Sequence, residues 1–179
     1  TGYRFSKCLE LLGLRVLYIK GCPHAFGYPV QAPVDVSLSW MHAKYPVKVN
    51  APHYGQLAQA SRAIHYIATS HIDTGIDLTK KKVVVQHGGS TYRIEPKLAN
   101  DTFNSFADAA IIQCPDLLNL GANNEHLIYY PVDTQLIKPH YRTDAGKILV
   151  GHFPSSPANK GTSKILEVIR KMQQDPSIS

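Results

Sequence analysis

Two short stretches of this chain hold residues whose types and spacing suit the handling of an anion. The first is Gly151-His152-Phe153-Pro154-Ser155-Ser156-Pro157-Ala158-Asn159-Lys160-Gly161-Thr162. It follows the apolar run Ile148-Leu149-Val150 and precedes the amphipathic run Ile165 to Met172, an order that reads strand, loop, helix. The N–H groups at a helix N-terminus are unsatisfied and carry partial positive charge, so a phosphate or carboxylate is stabilised there. Lys160 adds a full charge, Gly161 permits close approach, and Thr162 or Ser163 is placed to cap the helix. An ordinary cap with a solvated lysine would give the same pattern. The spacing is not that of a P-loop, which needs Gly-x-x-x-x-Gly-Lys-Ser/Thr.

The second stretch is His87-Gly88-Gly89-Ser90-Thr91, with Arg93 just beyond it. It follows Lys82 to Gln86, a continuous apolar run expected to be a strand of a parallel sheet covered on both faces. Ligands of open parallel sheets bind beyond the carboxyl ends of the strands, which is where His87 falls. Gly88 and Gly89 let backbone N–H groups approach a ligand, and Arg93 can present a fork of donors to a carboxylate or phosphate. The simpler reading is a turn needing positive φ beside a surface histidine. No serine nucleophile elbow is present, because Gly88-Gly89-Ser90-Thr91-Tyr92 lacks the final glycine. The nine histidines do not suggest a metal site: His24, His42, His53, His65 and His71 are dispersed, and none pairs at helical ligand spacing.

The elements that must position these residues alternate along the chain. Apolar residues at helical spacing from Tyr3 to Leu12 end at Gly13, and Leu14 to Ile19 reads as a strand. Strands are also expected at Val34 to Trp40, Ala63 to Ala68, Ala109 to Gln113 and Leu127 to Tyr130. Helices are expected at Tyr54 to Ala60, at Leu98 to Phe106 and, briefly, from Pro115. This alternation predicts an α/β fold with a Rossmann-like, doubly wound parallel sheet. A strand normally precedes the opening helix, so the sheet is expected to lack its first strand. Residues 1–142 are read as one domain, the polar stretch Lys138 to Asp144 as a linker, and residues 143–179 as the truncated start of a second.

Composition narrows the classes further. Of 179 residues, 44% are hydrophobic and 18% charged, which excludes a disordered chain. No apolar run approaches the ~20 residues of a membrane span. Three cysteines, Cys8, Cys22 and Cys114, form no Cys-x-x-Cys pair, which speaks against a disulfide framework or structural zinc and fits a reducing cytoplasm. The net charge of +6 suits solubility or an anionic partner, whether phosphate, nucleic acid or an acidic lipid surface. The run Lys80-Lys81-Lys82 reads as a solvated turn. The lack of interleaved aromatic and basic residues argues against nucleic acid.

In order and spacing, four segments resemble the GT-B retaining glycosyltransferases, the large group typified by bacterial mannosyl- and glucosyltransferases. They are Thr1-Gly2-Tyr3-Arg4 with the helix ending in Leu12-Gly13-Leu14-Arg15-Val16, then Val83-Val84-Val85-Gln86-His87-Gly88. Next come Ala107-Asp108-Ala109-Ala110-Ile111-Ile112, Pro115-Asp116-Leu117-Leu118 and Tyr130-Pro131-Val132-Asp133-Thr134 with Pro139, and last Gly151-His152-Phe153-Pro154-Ser155 with Lys160-Gly161-Thr162. The resemblance implies two Rossmann-like domains, an acceptor-side one followed by a donor-side one. It makes His87 the catalytic-cleft residue near the transferred sugar. Gly2, His152, Lys160, Gly161 and Thr162 fall on the donor-phosphate side, and Gly88, Gly89 and Arg93 on the acceptor side. Its partners would be a nucleotide-sugar donor and an unidentified acceptor, with peripheral membrane association allowed and no metal or cofactor needed. Histidine stands at 152 where the family often has arginine. The family's downstream Glu-x₇-Glu motif lies outside this chain, so the 179-residue protein is expected not to turn over alone. A GT-B sugar-nucleotide epimerase or phosphorylase, or an anion- or nucleic-acid-binding α/β module, is the alternative.

Overall fold

The computed structural model describes residues 2–20, 32–33, 48–50, 55–67, 71–73, 75–141, 151–154, 156–158 and 160–178. The chain divides into two compact units, Thr1–Lys138 and Pro139–Ser179. The expected strands at Val34 to Trp40 and before Gly151 lie outside the described residues.

The first unit opens on α1 (Gly2–Leu11). Gly13 has a φ of +80°, and the chain leaves the helix through two bonds, Gly13 N–H to Glu10 O at 2.9 Å and Leu14 N–H to Leu9 O at 3.1 Å. This pair satisfies carbonyls that the last turn would leave open, and it requires a left-handed residue at 13. The segment from Leu14 does not become the strand its apolar run predicts. Only β1 (Ile19–Lys20) joins a ladder, parallel to β2 (Ala32–Pro33). Leu14 and Leu17 are exposed, so the run lacks the covered faces that hold a buried strand.

Next come β3 (Lys48–Asn50), α2 (Gly55–Ala60), β4 (Ala63–Ile67) and β5 (His71–Asp73), with β5 parallel to β3. After a 3₁₀ turn at Leu78–Lys80, β6 (Lys82–His87) leads through α3 (Gly89–Ile94) and α4 (Pro96–Phe103) to β7 (Ala109–Ile112). A 3₁₀ turn at Pro115–Leu117 then precedes β8 (Glu125–Leu127). Strands β4, β6, β7 and β8 form one four-stranded, all-parallel sheet in that order. This is an α/β sheet flanked by helices, as in a Rossmann-like fold. The order runs one way across the sheet, so the reversal that defines double winding is not among the described residues.

Strand alternation sorts the side chains. The register pairs Val84 with His65 and Gln86 with Ile67 and Ile111, on one face. Val85 pairs with Tyr66 and Ala110, and His87 with Ile112, on the other. Phe5 of α1 meets His65 edge-on at 5.7 Å, so α1 covers the first face. Phe103 of α4 packs with Tyr66, Val83, Val85 and Ala110 on the second. The start of the central strand is tied down by Asp108. Val83 N–H donates to its Oδ2 at 2.7 Å, and Asp108 N–H donates back to Val83 O at 2.8 Å.

Several boundaries differ from expectation. The stretch after Gln86 is not a free turn: β6 runs through His87, and α3 begins at Gly89, whose φ of +71° reverses the chain in one residue. Helix α4 starts earlier than Leu98, because Pro96 occupies a first-turn position whose N–H would be unbonded anyway. The last strand is Glu125–Leu127, not Leu127 to Tyr130. Its ladder ends when Ile128 N–H reaches Ile112 O at 2.9 Å, and the residues beyond are exposed. In the lysine run, Lys80 and Lys82 stay mostly exposed, whereas Lys81 Nζ turns inward to Gln59 O and Ser61 O, both at 2.6 Å.

In the second unit, α5 (Thr162–Gln173) carries Ile165, Val168, Ile169 and Met172 along one stripe, and none of its residues is buried. No helix among the described residues is long and apolar enough to cross a membrane.

Candidate functional site

His87 ends the strand that has a parallel neighbour on each side, and its alternation points it the same way as Val83 and Val85, toward α3 and α4. It is therefore 0% exposed, not a surface residue on an open rim. Its ring lies flat on Tyr92, centroids 4.1 Å apart and planes 7° apart, and meets Phe103 edge-on at 5.8 Å. Tyr92 is fixed in turn: its hydroxyl donates to Asn100 Oδ1 at 3.0 Å, and Asn100 Nδ2 donates to Leu120 O at 2.9 Å. Neither His87 Nδ1 nor Nε2 has a hydrogen-bond partner among the described residues.

Burial pushes the His87 pKa down to about 4, so the imidazole is neutral at physiological pH. A base that weak is poorly matched to proton abstraction near pH 7. A neutral ring with one donor and one acceptor nitrogen is instead suited to hydrogen bonding an uncharged group.

The residues around it are partly committed. Gly88 is extended and caps α3, and a Cβ there would stand 3.4 Å from Gln113 Oε1. Gly89 needs glycine for its backbone, since no atom lies within 4 Å of the space a Cβ would fill. The Arg93 fork is engaged by a carboxylate of the chain itself. Its Nε and Nη2 hold Asp116 Oδ2 at 2.7 and 2.6 Å, joining α3 to the turn that follows β7. Gly2 opens α1.

In the second unit, Gly161 rather than Thr162 or Ser163 is the N-cap of α5. Its φ of +65° is a left-handed conformation, and no side chain caps the helix. Thr162 lies inside the first turn, where its Oγ1 is 2.8 Å from His152 Nε2 and its N–H bonds Pro157 O at 3.1 Å. The loop is thus clasped by His152 and Thr162, two residues expected to meet phosphate. Lys160 is exposed at its tip, with its backbone N–H on Ser156 O at 3.1 Å.

Three polar side chains at the sheet were not singled out by motif. Gln86 is 2% and Gln113 is 3% exposed; Gln86 is the last but one residue of β6, and Gln113 directly follows β7. The signal was available in sequence: Val83-Val84-Val85 and Ala110-Ile111-Ile112 are each followed by glutamine. His65, on the same face as Gln86, completes the set. Burial lowers its pKa, an effect the adjacent Gln86 amide partly offsets. Among the described residues there is no group of three or more His, Cys, Asp or Glu arranged to hold a metal ion.

Compared with known proteins, the chain matches no family profile, no characterised protein and no solved structure.

Proposed function

We propose that this chain carries the acceptor-side domain, and the opening of the donor-side domain, of a retaining, metal-independent glycosyltransferase of GT-B fold that uses a nucleotide-sugar donor. The observation that carries the reading is His87, a neutral imidazole at the carboxyl end of the central strand of a parallel sheet. It is paired in sequence order with a lysine-bearing glycine loop that opens a helix. Lys160 places a positive charge against the donor diphosphate as negative charge develops on the leaving group, which needs no metal. The clasp between His152 and Thr162 holds the loop in shape and leaves Lys160 as the phosphate contact.

Titration of the chain with UDP-glucose and GDP-mannose tests this reading. One of the two should bind saturably, and Lys160→Ala should weaken binding about tenfold, the value of one charge-assisted contact of ~1.4 kcal/mol. No binding of either, alongside tight RNA binding that falls steeply with salt, would replace the enzyme reading with a nucleic-acid module.

A further inference from the structure

We infer that Asn100 is an N-glycan acceptor in the unfolded chain and is sealed by folding, so that this modification and the fold exclude each other. Asn100-Asp101-Thr102 is the one Asn-x-Ser/Thr triplet in the sequence. Such a triplet is ordinarily modified on a surface loop, where the amide and the hydroxyl are both open to a transferase. Here it lies inside α4, and the fold commits its polar groups elsewhere.

Asn100 is 7% exposed. Its Oδ1 accepts from the Tyr92 hydroxyl at 3.0 Å, and its Nδ2 donates to Leu120 O at 2.9 Å. The backbone of Gly121 passes so near that a Cβ there would stand 3.1 Å from Nδ2. A single methyl group already crowds the nitrogen that a sugar would have to join. The Thr102 hydroxyl turns back along the helix to Leu98 O at 3.2 Å.

In the unfolded chain those bonds are gone and the triplet is an open acceptor. Transfer breaks the bond between the anomeric carbon of a lipid-diphosphate-linked oligosaccharide and its phosphate oxygen, and joins that carbon to Asn100 Nδ2. The amide loses one proton, and the lipid diphosphate leaves. The fold has no room for a glycan on that nitrogen, so α4 cannot then settle on the sheet. Tyr92 also loses the partner that holds it over His87. Closing α4 first has the opposite result, because the transferase finds neither the amide nor the hydroxyl. Whichever event comes first bars the other, and none of this depends on what the site binds.

Two preparations provide the test. The purified, folded chain is incubated with a eukaryotic oligosaccharyltransferase and its lipid-linked oligosaccharide. The same chain is also translated behind a cleavable signal peptide into endoplasmic-reticulum microsomes. The folded chain should stay unmodified. The translocated chain should gain one glycan that peptide N-glycosidase removes, and Thr102→Ala, which leaves Asn100 and its bonds in place, should gain none. Trypsin should cut the glycosylated fraction about tenfold faster, or more, than the unmodified fraction from the same lumen, because cleavage follows the population of the open chain. Modification of the folded chain, a translocated chain that stays unmodified, a glycan that persists in Thr102→Ala, or equal protease resistance of the two fractions would each overturn the proposal.

Discussion

Phe103→Ala is expected to remove about 3–5 kcal/mol of stability, the usual loss when a buried phenylalanine is truncated to alanine. Phe103 is 0% exposed and stands where four other rings converge. Its centroid lies 5.8 Å from Tyr66, 5.8 Å from His87, 5.8 Å from Phe106 and 6.3 Å from His71. It also closes the second face of the sheet over Val83, Val85 and Ala110. Those contacts come from β4, β5, β6 and β7 and from the turn after α4, so no single element can move to fill the space. Against a total stability of about 5–15 kcal/mol, the loss is a large fraction. The melting temperature should fall on the order of 10 °C, and the urea midpoint with it. Phe103→Leu, which keeps most of the volume, should lose less than half as much and keeps the comparison readable if the alanine variant does not fold. A shift of only a few degrees for Phe103→Ala would place the core elsewhere.

The second large effect is on the acid limb of stability. The folded-state pKa of His87 is held down to about 4 by burial, against 6.5 for the free side chain. As pH falls through 6.5 the unfolded chain takes up a proton that the folded chain refuses until about pH 4. Stability is then full above pH 6.5 and drains away between those limits, by about 3 kcal/mol in all. Burial lowers the His65 pKa too, so it adds to the loss in the same direction. Asp108 acts lower on the scale: the Val83 N–H holds its carboxyl below the ordinary value, so its contribution goes only as that carboxyl is protonated. His87→Leu keeps the buried volume and removes the proton site. Urea midpoints from pH 7.5 to 4.5 should fall less steeply for the variant than for the parent, with the His65 slope remaining. Superimposable curves would mean that His87 is not the buried neutral base described above.

How much of this was readable in advance follows from what each segment depends on. Strands β4, β6 and β7 were legible because continuous apolar runs bounded by polar residues have few other uses. The end of α1 was legible because Gly13 supplies a conformation few other residues adopt. Strand β8 and the stretch after Leu14 were misjudged because short apolar runs become strands only if a partner lies alongside. The depth of His87 depends on which face of β6 it shares with Val83 and Val85 once the strand extends by one residue, and on Tyr92 folding back over it. The engagement of Arg93 depends on Asp116, 23 residues away, being brought to the same edge. The clasp between His152 and Thr162 is likewise a product of loop shape. Residue types announced the chemistry available at the rim, while register decided which groups were already committed.

The one-way order of β4, β6, β7 and β8 also bears on how the sheet assembles. No two of these strands are joined by a tight hairpin, so no ladder in the sheet can grow by zippering from a turn. Each pairing closes a loop first, as the Val83–Asp108 contact does across 25 residues, and the entropy lost in closing it is recovered only afterwards. Until α3 and α4 have formed and swung across, Val83-Val84-Val85 and Ile111-Ile112 are open apolar edges able to pair with another chain. Slow refolding with losses that grow with protein concentration is the kinetic signature of that topology.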